Sequence, residues 1–172
     1  MLRRLIATLH RWAESGWAGT ATATWEVLQS SVMPGPSGAV FAPLVVADPE
    51  RATRLAIWAA AGAILGGCIA YVIGAQAFEG PGRWLLSTLG VSEARLTSSA
   101  ATFARHGWML VFVATISPLS TKLTCIAAGA FGLALPQFLP ALVIGRVLRF
   151  AVLTVLLRFA GQRVRARNEA TG

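Results

Sequence analysis

The sequence predicts an all-α integral membrane protein in which two re-entrant helical hairpins and two full transmembrane helices form an inverted repeat. Three observations predict this class. Hydrophobic residues make up 55% of the 172 residues and charged residues only 13%, whereas a soluble domain is about 25% charged. Two apolar runs are long enough to cross a membrane, and two others are interrupted by proline. This composition excludes a soluble enzyme, a disordered chain and a disulfide scaffold, and the length indicates one domain.

The two ends of the sequence are basic, and the net charge is +8. Residues 1–16 are predicted to form an amphipathic surface helix, because apolar side chains fall near one helical face, at Leu2, Leu5, Ile6, Leu9 and Trp12. A disordered terminus is the alternative. Residues 161–172 form a basic C-terminal tail. Basic ends on an apolar body favour a membrane surface over nucleic acid, and the positive-inside rule places both ends in the cytoplasm.

The membrane domain is predicted to cover residues 17–160, beginning with a re-entrant hairpin at 17–47. The apolar stretch that starts this segment is short and ends at the sequence Pro34-Gly35-Pro36-Ser37-Gly38. Proline removes a backbone donor and breaks a helix. Irregular backbone at membrane depth is tolerated only where protein or trapped water satisfies it. Ser37 is therefore expected at the hairpin tip.

The next element is a transmembrane helix at 55–78. These 24 residues carry no charge, and about 20 apolar residues cross the hydrocarbon core. Gly62, Gly66 and Gly74 recur at multiples of four residues, so one side of the helix has almost no bulk. Small residues at this spacing predict a helix-packing seam. A general enrichment in small residues is the alternative.

The second half of the membrane domain repeats the order of the first. A far-side amphipathic segment at 79–106 leads into a second re-entrant hairpin at 107–132, interrupted by the sequence Ser117-Pro118-Leu119-Ser120-Thr121-Lys122. A transmembrane helix at 136–157 follows. Each half is thus a broken segment followed by a whole one, an order that resembles the inverted repeats of secondary transporters.

Four ionisable residues lie inside the predicted membrane segments, at Glu26, Lys122, Arg146 and Arg149. A charge there costs a few kcal/mol on insertion scales, so each is a functional hypothesis. Glu26 could carry a proton or accept a cationic group. Arg146, with Arg149 on the same face, could pair with Glu26 or hold a phosphate. The alternatives are a wet helix edge for Glu26, a structural role for Lys122 and snorkelling of Arg149.

No soluble catalytic set is present in the sequence. There is no nucleophile elbow, no phosphate-binding loop and no Cys/His metal spacing. Cys68 and Cys125 lie in apolar runs, where they are typical packing residues. We therefore expect no enzyme activity, no cofactor and no metal. An intramembrane hydrolase that uses Ser120 beside Lys122 is a minor alternative.

Five motifs follow one another along about residues 17–160. They are Glu26-x-x-x-Ser30 to Pro34-Gly35-Pro36-Ser37; Gly62-x-x-Leu65-Gly66-Gly67 with Gly74; Ala104-Arg105-His106-Gly107; Pro118 to Ala128-Gly129; and Gly145-Arg146-x-x-Arg149-Phe150. Each is loose, but their order and spacing together resemble the DedA-like, VTT-domain (SNARE-associated Golgi) membrane proteins. The likeness is closest to the short bacterial YqaA-type branch.

This resemblance implies two re-entrant hairpins that face each other across the bilayer. It also implies a role in lipid movement, such as translocation of undecaprenyl phosphate or phospholipid, which depends on the proton gradient in several members. Where similar sequences carry acids, this one has Gly38 and Lys122, a change that favours an anionic head group. The candidate substrate- or ion-binding residues are Glu26, Ser37, Lys122, Arg146 and Arg149.

Two functions of different class follow. The first is a translocator of anionic lipid or polyprenyl phosphate in the bacterial inner membrane, with proton coupling left open. The second is a non-transporting scaffold or assembly protein needed for envelope integrity. Membrane lipids are the expected partner in the first case, nucleic acid in neither, and a homo-oligomer built on the Gly62 seam is an option in the second.

Overall fold

All of the regular structure in the described part of the chain is helical. The computed structural model describes residues 17–31, 38–79, 93–116 and 121–170. The α-helices in these ranges are α1 (Ala18–Ser31), α2 (Phe41–Ala47), α3 (Ala52–Glu79), α4 (Glu93–Ile116), α5 (Thr121–Ala130) and α6 (Leu135–Ala170). No strand occurs within them, which confirms the all-α prediction. The predicted surface helix at 1–16 and the predicted hairpin tip at Ser37 lie outside the described residues.

Two helices are long and apolar enough to cross a membrane, as the sequence predicts. The candidate spans are Pro49–Ala77, where the 3-10 turn Pro49–Arg51 leads into α3, and Leu135–Ala160 within α6. The shorter span has 26 residues. At about 1.5 Å per residue it extends about 39 Å, which exceeds a hydrocarbon core of about 30 Å.

Two helices extend past the limits expected from the sequence. α4 runs without a break from Glu93 through Gly107 to Ile116, although a boundary was expected between residues 106 and 107. A single glycine costs a helix only about 1 kcal/mol, and Gly107 lies against Leu133 in a space that a side chain would fill. α6 likewise continues to Ala170, through residues expected to form a separate tail.

We call α1 and α4, which precede the proline-containing interruptions of the sequence, the broken helices. The first of them, α1, lies parallel to the first long helix, α3. Three contacts set the direction: Gly19 on the Trp58 side chain, Gly62 on the carbonyl of Ala23 and Gly66 on the carbonyl of Val27. The residue numbers rise together, so α1 and α3 run the same way. Because Gly66 lies at the middle of α3, α1 ends about halfway along it. A β-carbon at Gly62 or Gly66 would clash with the α1 backbone.

The second broken helix has the same relation to the second long helix. Gly107 of α4 lies against Leu133, just before α6, and Thr115 lies against Gly145 farther along both helices. α4 therefore runs parallel to α6 and ends at Ile116, near the middle of the Leu135–Ala160 span. The two long helices themselves are antiparallel, because Gly67 meets Leu142 while Thr53 bonds Arg158.

The two short helices pack on the long helix of the other half. The Phe41 ring of α2 meets the Phe150 ring of α6 edge to face, with centroids 5.4 Å apart. The α5 backbone meets α3 at two glycines: Gly74 lies against the carbonyl of Ile126, and Gly129 against the carbonyl of Tyr71. Each half of the chain is thereby tied to the other, which brings the ends of α1 and α4 to the same region of α6.

Candidate functional site

A stripe of buried polar side chains runs along α1. Thr22, Glu26 and Ser30 are spaced four residues apart and are at most 1% exposed. Residues at this spacing lie on one helical face. Thr22 satisfies its hydroxyl locally by donating to the carbonyl oxygen of Ala18, at 2.7 Å. Glu26 and Ser30 instead make contacts beyond α1. Other elements of the fold therefore meet the stripe in the C-terminal half of α1.

Glu26 joins α1 to the turn before α2. Its Oε1 accepts a hydrogen bond of 2.7 Å from the backbone N–H of Gly38. Gly38 has φ 82°, a left-handed conformation that glycine adopts without strain. The carboxylate is enclosed by protein, not placed at an open helix edge. The anion that the Gly38 N–H binds is thus the Glu26 carboxylate of the same chain.

Arg146 is buried near the middle of the Leu135–Ala160 span of α6. It is 1% exposed and is one of the largest fully buried side chains of the described chain. Its guanidinium Nη2 donates to Ser30 Oγ at 3.1 Å, and Ser30 Oγ donates onward to Gln29 Oε1 at 3.3 Å. Arg146 Nε has no hydrogen-bond partner among the described residues. A buried donor without an acceptor costs about 1–3 kcal/mol. Binding of a further acceptor group at Arg146 Nε would therefore be favourable.

Arg149 reaches the end of the other broken helix. Its Nη1 donates to the backbone carbonyl of Thr115 in the last turn of α4, at 3.4 Å. Carbonyl groups at a helix C-terminus lack intrahelical partners and carry partial negative charge, so a cation is favourable there. Arg149 thus turns inward to α4, in contrast to the snorkelling alternative. Arg146 and Arg149 together link α6 to the ends of α1 and α4.

The charges of this region do not cancel. The Glu26 carboxylate attracts both guanidinium groups, and the two guanidinium groups repel each other. One carboxylate against two arginines leaves one positive charge in excess among these three groups. Each arginine lies at least ~16 Å along the axis from either end of the Leu135–Ala160 span. We call Glu26, Ser30, Arg146 and Arg149 the central cluster.

Several residues that shape the central cluster were not selected as site residues from the sequence. Gly145 allows Thr115 Oγ1 to lie directly against it, so α4 can approach α6 beside Arg146. Ser30 was visible only as part of a motif. Thr115 contributes a backbone carbonyl, for which side-chain chemistry gives no signal. Hydrophobic periodicity identifies the face of a helix but not the atoms it will meet.

Lys122 and the three seam glycines are the other predicted site residues that the structure describes. Lys122 is half-buried in the first turn of α5. Its neighbour Thr121 donates to the carbonyl of Ala114 at 3.0 Å, which fixes the start of α5 against the end of α4. Gly62, Gly66 and Gly74 lie at the helix contacts described above. Their bare face is occupied by α1 and α5 of the same chain, so it is not open to a second copy.

The fold and the central cluster define a helical membrane protein with charged groups enclosed between its helices. Comparison with known families agrees: the model of the VTT domain matches residues 28–159. This chain belongs to the VTT-domain family, which confirms the resemblance seen in its motifs. It is similar to an uncharacterized protein of Haemophilus influenzae, 25% identical over 143 residues that cover 81% of this chain and 72% of the relative. No solved structure matches the chain.

Proposed function

We propose that this protein moves an anionic lipid or a polyprenyl phosphate across the membrane, with the head group bound at the central cluster. The observation that carries the proposal is the enclosure of Glu26, Arg146 and Arg149 where two broken helices end beside α6. Charges inside a membrane segment are costly and mark ion or substrate paths. A scaffold has no need for them at this depth.

The head-group chemistry follows from the donors of the cluster. A guanidinium binds phosphate oxygens through its fork of N–H groups, and charge-assisted contacts of this kind are the stronger ones. Arg146 Nε is buried without a partner in the described chain, and the cluster carries one positive charge in excess. Ser37 and Lys122, expected at the two hairpin tips, complete the proposed binding residues. No covalent step is required of any of them, so we propose a transporter and not an enzyme.

The proposed architecture is an inverted repeat of two re-entrant hairpins. Support comes from the equivalence of contacts in the two halves: α1 lies parallel to α3 as α4 does to α6, and α2 packs on α6 as α5 does on α3. α1 and α4 both end beside the middle of a candidate span. Paired interrupted helices in corresponding positions are typical of transporter binding sites.

The proposed setting is the bacterial inner membrane, crossed twice. The end that carries Pro49 and Arg158 is placed in the cytoplasm, since α6 continues there into the basic residues Arg163, Arg165 and Arg167. α1 would then enter from the cytoplasmic side and α4 from the opposite side. Substrate could reach the central cluster from either leaflet.

The test is lipid movement in liposomes that contain the purified protein and fluorescent phosphatidylglycerol. Glu26→Gln keeps the shape and the acceptor for Gly38 but removes the charge, and Arg146→Gln removes the guanidinium. We expect each to slow movement about tenfold or more, because each loses a charged contact of about 1.5–3 kcal/mol. Arg105→Gln, at an exposed position of α4, is the matched control and should keep the wild-type rate.

A pH gradient across the liposome separates coupled from uncoupled movement. If Glu26 carries a proton, the gradient should accelerate the wild type and leave Glu26→Gln unaffected. Wild-type rates in both folded variants would refute the proposal. Absence of any lipid movement together with one defined oligomer on crosslinking would favour the scaffold alternative.

A further inference from the structure

A long apolar groove lies on the outer surface between α3 and α6, away from the central cluster. Its volume is about 560 Å³. Its floor consists of the least exposed lining residues, including Ala56, Ala60 and Phe150, and its rims include the exposed side chains of Ile57, Val147 and Val155. Ile57 and Val155 on its rims are 66% and 53% exposed. The groove therefore opens outward, toward the side that faces lipid in a membrane.

The length of the groove matches one leaflet. Along α3 it extends from Thr53 to Ile64, and along α6 from Arg158 back to Val147. Eleven residues of helix rise about 17 Å, and half of a hydrocarbon core of about 30 Å is about 15 Å. One end thus lies at the membrane surface and the other near the bilayer centre.

The surface end of the groove is polar and cationic. Arg158 lies there, held by bonds from its Nε to the carbonyl of Pro49 at 2.9 Å and from its Nη2 to Thr53 Oγ1 at 3.1 Å. These bonds use two of its five N–H donors. Arg54, next to Thr53, is exposed at the same end. No acid is among the described residues that line the groove, so the charge of its surface end complements an anionic head group.

We propose that this groove binds one phospholipid with an anionic head group, with one acyl chain along α3 and α6 and the phosphate on Arg158. The chain fills the space over the alanine floor, and the head group remains at the surface of the same leaflet. The site is separate from the central cluster and does not depend on translocation. The bound lipid stays in the groove between α3 and α6 and is not transported.

The head-group half of the proposal is tested by native mass spectrometry of the detergent-purified full chain, titrated with phosphatidylglycerol or phosphatidylcholine. We expect the wild type to hold one phosphatidylglycerol in preference to phosphatidylcholine. Arg158→Gln should weaken phosphatidylglycerol binding about tenfold and phosphatidylcholine binding less, because the choline group already offsets the charge of that phosphate. Arg105→Gln is the matched control. Equal affinity of wild type and Arg158→Gln for phosphatidylglycerol would overturn the assignment.

The acyl-chain half is tested by filling the groove. Ala151→Leu should remove retention of both lipids, whereas Ala160→Leu, at an exposed position of α6 outside the groove, should not. Because a variant could fold poorly, wild-type protein is also labelled in vesicles with a phosphatidylglycerol that carries a photoreactive acyl chain. Labels concentrated in residues 53–64 and 147–158 support the site. Labels spread evenly over all lipid-facing segments, or a dimer that Ala151→Leu disrupts, would overturn it.

Discussion

At the scale of single residues, the charged side chains of Glu26, Arg146 and Arg149 each need a polar partner within the protein, because they are shielded from water. Glu26 binds the Gly38 backbone, Arg146 binds Ser30, and Arg149 binds the last turn of α4. Each bond joins elements far apart in sequence. Removal of one of these charged side chains leaves its buried polar partner without that hydrogen bond, which costs about 1–3 kcal/mol.

Coupling between Glu26 and Arg146 follows from this dependence. Arg146→Met, which keeps much of the side-chain volume, should lower the stability of the folded protein by a few kcal/mol. The double variant with Glu26→Gln should lose less than the sum of the two single losses, because each single variant already removes the attraction between these two groups. Thermal unfolding in detergent measures all three variants. Strictly additive losses would show that the two residues are independent.

At the scale of helices, glycine determines which elements can approach. Gly62 and Gly66 let α1 lie on α3, Gly74 and Gly129 let α5 cross α3, and Gly145 lets α4 approach α6. In lipid the hydrophobic effect does not drive helices together, so close backbone contact carries more of the association. The central cluster depends on these contacts, since they bring α1 and α4 within reach of the α6 arginines.

The crossing of α3 and α5 should therefore be sensitive to one methyl group. Gly74→Ala and Gly129→Ala each place a β-carbon against a facing backbone carbonyl, which cannot move as a flexible side chain can. We expect each to cost about 1–3 kcal/mol, seen as a lower unfolding temperature in detergent. Ala77→Leu, at an exposed position of the same helix, should change little. A neutral Gly74→Ala would mean that α5 does not cross α3 at this point.

At the scale of the whole molecule, the direction of the long helices determines which residues share one end of it. Two antiparallel long helices place Thr53 and Phe159 at one end and Gln76 and Leu135 at the other. The broken helices end between these two levels. Such an arrangement exposes the central cluster to neither surface directly.

Cysteine labelling tests this arrangement. In a Cys68→Ala, Cys125→Ala background, single cysteines at Thr53 and Phe159 should react with an impermeant maleimide from one side, and those at Gln76 and Leu135 from the other. A cysteine at Ile116, where α4 ends, should react slowly from both sides, since that position lies near mid-membrane. Reaction of Ile116→Cys as fast as that of Phe159→Cys would place the end of α4 in bulk solvent.

The sequence alone determined the class of the protein and the position of its unusual residues. Apolar run length predicted the two spans, because the membrane core requires about 20 apolar residues. Glu26, Arg146 and Arg149 were identifiable because each interrupts such a run. The glycines at multiples of four residues indicated a bare helix face.

Only the tertiary structure decided what these features meet. Arg146 and Ser30 are 116 residues apart, and helical periodicity relates residues only within one helix. Whether Glu26 lies at a wet helix edge and whether Arg149 snorkels depend on which parts of the chain approach them. The structure supplies a backbone partner to each: the Gly38 N–H to Glu26 and the Thr115 carbonyl to Arg149. From the sequence, the bare glycine face of α3 could have packed against a second copy of the protein or against helices of the same chain. In the structure α1 and α5 of the same chain pack against it.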